Sequence, residues 1–344
     1  MSLQKIPWEL AAATFLFLSI AILFQSPARA ILRATSARHA NLTIPVSRLT
    51  GPDVVFIICL IAFKYPLRWI GAVPKLRSTE SGFDLPHLTI TSEIDVGDED
   101  RKRYDRAVPG GGNRALLLAG LINPLMSIML TNRNNPIMPF GCVNTKNRFE
   151  FLDTEPPAGH YTVTATLGGD ENPARRVKRG IELDVVFVAT HSQRGKVFRQ
   201  VATILAYLPS KHKPLYKAPE VKAAENVASG WKNIEKYMVE LKFNAPFDWA
   251  AVCKDYNPIH MSSGMAKLFG FPSKIAHGNH VLASFVQKFG TSPPGPFAID
   301  VDFKRLMRLP LSMAVEYSRE TTTAERFRVV KDGKEYMTAS RTVL

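Results

Sequence analysis

The chain has 344 residues, 46% of them hydrophobic and 22% charged, with 44 Lys and Arg against 30 Asp and Glu, a formal charge of +14. That length suits two domains or one large one, and the composition excludes a disordered polymer and a disulfide-stapled miniprotein. Cys59, Cys142 and Cys253 lie far apart and make no CxxC pair, so neither a zinc ribbon nor a disulfide framework is expected. The charge invites a nucleic acid, an anionic membrane or a phosphate-bearing substrate as partner, and its distribution must decide among them.

Residues 1–80 carry nine basic side chains against Glu9, Asp53 and Glu80, a local +6. Residues 10–24, LAAATFLFLSIAILF, are apolar apart from Thr14 and Ser19. With Ile6, Pro7 and Trp8 they approach the ~20 residues of a membrane span, and Trp8 suits the interface. The competing reading is a cleaved presequence, because Ala28-Arg29-Ala30 fits a small-x-small cleavage site and residues 25–52 are basic, hydroxyl-rich and poor in acids. A second run, residues 54–63, VVFIICLIAF, reads as a membrane-dipping segment, a tilted span extended to Val73, or a core strand.

From about Pro86 the pattern becomes strands with a few helices. Residues 88–94 alternate as a strand, and 97–106 form a charged surface helix or turn. Residues 115–130, ALLLAGLINPLMSIML, are apolar all round and predict a buried helix kinked at Pro124. Strands are expected over 140–152, 160–167, 180–190 and 196–207. Residues 209–232, with Pro209, Pro214 and Pro219 among lysines, read as a linker. The order then returns: a strand over 237–243, a short helix over 246–254 and a mostly apolar helix over 277–289. Strands follow over 297–303, 312–320, 323–330 and 335–343, with Asp332-Gly333 as a hairpin turn. Strand, short helix, long buried helix and several antiparallel strands thus occur twice, as two helix-wrapping sheets would require. The expected division is 1–80 as targeting or anchor segment, 81–208 as a non-catalytic half, 209–232 as linker and 233–344 as a catalytic half.

The densest chemical signal is Asp255-Tyr256-Asn257-Pro258-Ile259-His260, followed by Ile275-Ala276-His277-Gly278. Pro258 pushes Asn257 out of the helical region, so the preceding helix should end near Asp255. On a continuous helix Asp255 and His260 would diverge by about 140°, whereas a loop through Asn-Pro can turn them toward one point. His277-Gly278 opens the long helix, whose free amides favour an anion. A carboxylate and an imidazole beside an anion-stabilising helix start can move water onto or off a carbon next to a thioester.

The segment DYNPIH…AKLFGF…IAHG closely resembles the MaoC-like hydratase/dehydratase family, whose members adopt the hot-dog fold. More broadly, residues 86–344 resemble its double hot-dog members, an α+β architecture in which each long helix is wrapped by a bent antiparallel sheet. The resemblance implies R-specific hydration of trans-2-enoyl thioesters, or the reverse dehydration of 3-hydroxyacyl thioesters. Asp255 and His260 would be the catalytic dyad, Asn257 and His277 its support, and the Gly278 amide the oxyanion donor. It implies no metal and no redox cofactor, with an acyl-CoA or acyl-carrier thioester as substrate. Two positions depart from the family pattern. Lys254 stands where glycine is usual, and Asn279-His280 where an apolar residue is usual; a positive φ at 254 would strain a lysine. Lys254 and Lys274 are candidates for a substrate phosphate.

Other readings compete. His260, His277, His280 and Asp255 form a possible metal set, and Cys253 with His260 a possible nucleophile pair. Gly110-Gly111-Gly112 lacks a following Walker lysine, and no G-x-S-x-G occurs. A non-catalytic acyl-binding or structural subunit of a membrane-associated complex is the alternative function, with a thioesterase behind it. Nucleic-acid binding is not expected, since no RRM, KH, zinc-finger or helix-turn-helix pattern is present. The expected partners are the thioester, a membrane through the amino-terminal segment, and a homodimer or larger assembly. The expected location is a membrane, with mitochondrion and endoplasmic reticulum as candidates.

Overall fold

The computed structural model describes residues 26–79, 82–110, 113–153, 155–170, 172–207, 234–287, 295–319 and 324–344. Of the expected targeting or anchor segment over 1–80, residues 1–25 with the apolar run at 10–24 lie outside the described residues, as does the linker over 209–232. In chain order the elements begin with α1 (Ser26–Ala34), β1 (His39–Leu42), α2 (Gly51–Trp69) and a small hairpin, β2 (Arg77–Ser78) with β3 (Phe83–Asp84). The first unit follows as β4 (Leu88–Val96), α3 (Asp98–Ala107), α4 (Leu117–Leu121), α5 (Pro124–Thr131), β5 (Cys142–Phe151), β6 (Gly159–Leu167), β7 (Arg175–Val177), β8 (Gly180–His191) and β9 (Gly195–Tyr207). The second comprises β10 (Glu235–Leu241), α6 (Ala245–Cys253), α7 (Pro258–Met261), α8 (Ser263–Leu268), α9 (Gly278–Val286), β11 (Phe297–Phe303), β12 (Leu311–Arg319), β13 (Ala324–Lys331) and β14 (Lys334–Val343).

One continuous sheet runs in the order β1-β4-β6-β8-β9-β5-β11-β14-β13-β12-β10, with β7 paired beside β8. Counting the long strands of each unit from its start, both units have the order 1-3-4-5-2, and they meet through their second strands, β5 and β11. All the pairings of these ten strands are antiparallel. The repetition expected from the sequence is therefore a repetition of topology, and the molecule is a double hot-dog. At the seam Phe151 pairs with Phe297, and their rings stack at 4.6 Å. Both are buried, and stacked aromatic burial of this kind contributes beyond area alone by about 1 kcal/mol. On the opposite face Arg148 Nη1 donates to Asp300 Oδ2 at 2.7 Å, so the seam is fixed on both sides.

The central helix of the first unit is split. Asn123 and Pro124 divide the expected single helix into α4 and α5, with proline in the first turn of α5, where its missing N–H costs nothing. Gly120 in α4 approaches α6 so closely that a Cβ would sit 2.9 Å from Val252 Cγ1.

Residues 26–79 are not a detached segment. Ile31, Ala34, Leu42, Val46, Leu49 and Ile57 belong to the same hydrophobic core as both units, and β1 adds to the edge of β4 in parallel register. The run at 54–63 is neither strand nor span. It lies within α2, which starts with Thr50 N donating to Asp53 Oδ2 at 2.7 Å and ends at Trp69 rather than reaching Val73. Among the described residues no helix is long and apolar enough to cross a membrane. Lys64 explains the placement of α2. It is 1% exposed, and its ammonium donates to Leu130 O at 2.7 Å and Ile137 O at 2.8 Å. Burial pushes its pKa down to about 7, a desolvation cost that the two carbonyls offset in part.

Candidate active site

The site is assembled where α6 ends and α9 begins. Helix α6 terminates at Cys253 because Lys254 turns into the left-handed region at φ 53°. Asn123 of the first unit donates from Nδ2 to Cys253 O at 3.3 Å, so the two halves jointly hold the start of the motif loop. Asp255 Oδ1 then accepts the Asn257 amide at 3.1 Å, closing a local turn typical of Asp. Asn257 caps α7, its Oδ1 accepting the Ile259 amide at 3.3 Å. His260 is carried on this short helix rather than on an open loop.

Carbonyls fix both imidazoles. His260 Nδ1 lies 2.9 Å from Ile275 O, which can only accept, so Nδ1 carries the proton and Nε2 keeps a free lone pair. His277 Nε2 lies 3.1 Å from the backbone carbonyl of Asp255 and 3.6 Å from its carboxylate Oδ2. The rings of His260 and His277 stack at 3.8 Å. Burial, followed by the neighbouring His260 and His280, holds His277 well below the usual histidine range, so it stays neutral and acts as an uncharged prop. One donor atom from each of Asp255, His260 and His277 lies within 4.8 Å of the others. Two hydrogen bonds of about 2.8 Å to one water span such a gap.

Gly278 is the first residue of α9, with His277 as its cap. The first amides of a helix have no partner within it and sit at its positive end. A Cβ at Gly278 would lie 2.5 Å from Phe303 Cε1, so only glycine lets the β11 ring pack over this turn. Asp255, Asn257, His260, His277 and Gly278 all line one cavity of about 270 Å³. Its opposite wall comes from the first unit: Gly120, Asn123, Met126 and Leu130. It shares Asn144, Asn257 and Phe303 as lining with a larger cavity of about 870 Å³, bordered by Lys178, Arg179, Lys304 and Arg305.

The remaining candidates are dispersed. His280 turns away: its Nε2 meets Ala107 O at 2.8 Å and its ring stacks on Trp249 at 5.1 Å, joining the two units. It is not available to the metal set considered from sequence. Asn279 Oδ1 accepts from Asn147 Nδ2 at 2.8 Å, again across the seam. The Asn279-His280 departure from the family pattern is thus a pair of contacts between halves, whereas Lys254, the other departure, is the left-handed end of α6. Cys253 is buried and its thiol is pushed up by that burial, the reverse of an activated nucleophile. Lys274 is 2% exposed, its ammonium 3.6 Å above the Phe243 ring; it lines none of these cavities. Lys254 lines a small third cavity of about 100 Å³ beside Asp255. The basic turn Lys178-Arg179, between β7 and β8, is the group that sequence reasoning missed; its signal was the run RRVKRG at 175–180.

Two predictions arise from these contacts. Burial pushes the His280 imidazole down to about 4, against about 6.5 in an unfolded chain. The unfolded state then takes up a proton that the folded state refuses. Stability from this residue is complete above pH 6.5 and is lost on acidification by about 1.4 kcal/mol per unit, or about 3 kcal/mol by pH 4. Urea midpoints at pH 7.5 and 5 are expected to diverge less in His280→Gln than in the unsubstituted protein. Separately, Lys254→Gly is expected to stabilise the fold by about 1 kcal/mol, since glycine adopts a positive φ without the Cβ clash. A rise in the urea midpoint at unchanged slope is the measurement.

Comparison with known proteins bears on the fold and on the second unit. A family model described as MaoC like domain matches residues 239–329, which run from β10 to β13. The chain is 27% identical over 257 residues to 3-hydroxyacyl-thioester dehydratase X of Mycobacterium tuberculosis, covering 70% of this chain and 82% of that one. The crystal structure of that organism's HtdX superposes with a TM-score of 0.59 at 21% identity, covering 74% of this chain and all of the other. Full-length peroxisomal multifunctional enzyme type 2 from Drosophila melanogaster gives 0.54 at 16% identity, over 74% of this chain and 48% of that one. These structures share the fold. The protein is a double hot-dog by fold, and residues 239–329 in its second unit match the MaoC-like domain model.

Proposed function

We propose that the chain is a hydro-lyase acting on acyl thioesters: it adds water to trans-2-enoyl thioesters and removes it from (R)-3-hydroxyacyl thioesters. The observation that carries this reading is the convergence of Asp255, His260 and the Gly278 amide on one cavity. In the hydration direction a water held between Asp255 and His260 Nε2 loses a proton as its oxygen attacks the β-carbon. The electrons pass through the α-carbon to the thioester oxygen, where the Gly278 amide and the positive end of α9 receive the charge. The α-carbon then regains a proton from the same pair, so the dyad ends as it began. His277 and Asn257 orient the two groups. Each side chain the step needs is present in the chain, and the step is redox-neutral.

The substrate's tail would lie against Met126 and Leu130, and its phosphate-bearing end in the larger cavity near Lys178 and Arg179. CoA and an acyl carrier share the phosphopantetheine arm that this cavity would hold. The test is incubation of the purified protein with trans-2-enoyl-CoA of short and long chain. Loss of the conjugated-thioester ultraviolet absorbance, with (R)-3-hydroxyacyl-CoA as product, is expected; unchanged absorbance at high enzyme concentration, with free thiol released instead, would assign a thioesterase.

The alternative of a non-catalytic acyl-binding subunit draws on Lys254 and Asn279 at family-atypical positions. Both have structural accounts here, one as a left-handed helix end and the other as a seam contact, which leaves the hydro-lyase reading the better supported. Membrane association through residues 10–24 is proposed on their apolar sequence.

A further inference from the structure

Helix α2 has two unlike faces. Its inner face carries Asp53, Val54, Ile57 and Lys64, all buried, and packs against α5. Its outer face carries Val55, Cys59, Ala62, Phe63, Pro66 and Trp69, all exposed, followed at once by exposed Ile70. At about 100° per residue these positions fall on one stripe along a helix of nineteen residues, about 28 Å long. Not one of them is charged or carries a hydrogen-bonding group other than the Trp69 indole and the Cys59 thiol. Trp69 is 86% exposed, Ile70 77% and Phe63 58%. A contiguous apolar stripe of this extent marks a binding surface rather than ordinary solvent exposure.

We propose that this face of α2 seats the protein on an anionic lipid bilayer, and that α2 thereby feeds membrane-held alkyl chains to the dyad cavity. Charge favours lipid over a second copy. Every exposed charged residue between 51 and 79, namely Arg68, Lys75 and Arg77, is positive, and the acid there, Asp53, is buried. Two copies would bring like charges together, whereas anionic headgroups complement them. Chain continuity favours lipid over self-coverage. The apolar residues 10–24 end two residues before α1, and α1 packs on α2. Only Thr14 and Ser19 in that run are polar, so it adds apolar sequence beside this face and provides no polar cover for it. A helix lying in the interface with aromatic and aliphatic residues turned inward is a known mode of attachment.

The second consequence rests on the proposed function. Ile61 of α2 lines the dyad cavity, and Val54 and Ile57 line the small cavity that contains Asp255. The bilayer-facing helix is therefore also a wall of the acyl pocket, which points to thioesters with long alkyl chains that partition into lipid.

Cys59 offers the probe. It is exposed, while burial pushes Cys142 up to about 12 and Cys253 well above the usual thiol range, so a fluorophore reacts at Cys59 first. The full-length chain, labelled there with an environment-sensitive dye and checked by peptide mapping, is mixed with phosphatidylcholine–phosphatidylglycerol vesicles containing brominated lipid. The expected result is a shift to shorter wavelength and a several-fold loss of emission, both abolished by Phe63→Asp with Trp69→Asp. Three results overturn the docking face: no vesicle binding, a label that stays in water while the chain sediments with vesicles, or a label already shielded in buffer and untouched by bromolipid. Hydration of a long-chain relative to a short-chain enoyl-CoA should rise several-fold with vesicles; an unchanged ratio overturns the alkyl supply alone. If no enoyl thioester is hydrated at all, the function reading fails while the label still reports on the docking face.

Discussion

His260→Ala is expected to lower kcat for enoyl-thioester hydration by ~10²–10⁴-fold, the range for loss of a positioned acid–base group. The argument is geometric. Ile275 O holds Nδ1 of His260 as a donor, so Nε2 is the one ring nitrogen able to take the water's proton, and alanine removes it. Asp255→Asn should fall in the same range, because the amide cannot accept a proton and its NH₂ would compete for the water. The double substitution is expected to be little worse than the worse single one, since groups that act as a unit give strongly non-additive losses. Stopped-flow or steady-state absorbance at saturating substrate provides kcat. Urea midpoints check folding, since His260 is half-buried and lies outside the hydrophobic core. Full activity in His260→Ala would remove the dyad from the mechanism.

Gly278→Ala is the second large effect, and it arises without touching a proton-transfer group. The added Cβ would lie 2.5–2.9 Å from three atoms of the Phe303 ring, so the ring or the first turn of α9 must move. A displacement of about 1 Å at an oxyanion donor is enough for a loss of ~10² in kcat. KM should change less than kcat, because the amide bears most on the charge that develops in the transition state. Phe303→Leu in the same chain makes room for the methyl group and is expected to restore at least ~10-fold of the loss. If Gly278→Ala were inactive and Phe303→Leu gave no recovery, the clash would not be the cause.

The fold was legible because its signals were local and repeated. Alternation over 160–167 and 297–303, and the hairpin at Asp332-Gly333, are properties of short windows, and the strands appear where the pattern puts them. The repeat of strand, helix and strands survived as the shared 1-3-4-5-2 order. The motif at 255–278 was equally legible, being contiguous. What misled was context. Pro258 reads as a breaker, yet proline in a first turn starts a helix, and α7 carries His260 for that reason. Helix α2 looked like a strand or a span because its outer face is as apolar as its inner one, and nothing local reveals that Lys64 is the buried side. The basic turn at Lys178-Arg179 reaches the dyad's antechamber through the pairing of β5 with β11, a relation that spans more than 100 residues and leaves no periodic trace. Lys274 reads in sequence as a candidate for a substrate phosphate, and the fold instead buries its ammonium over the Phe243 ring.

The pairing of β5 with β11 has a consequence for how such a protein can diversify. Two identical hot-dog chains brought together would carry two equivalent sites, and any change that widened one binding wall would be made twice, once where it helped and once opposite a working dyad. Here Asp255 and His260 come from the second unit alone, so under the proposed function Gly120, Met126 and Leu130 of the first could vary as the far wall of a site they do not themselves operate. The first unit would then be free to become the measuring device for the acyl chain, while the second kept its geometry.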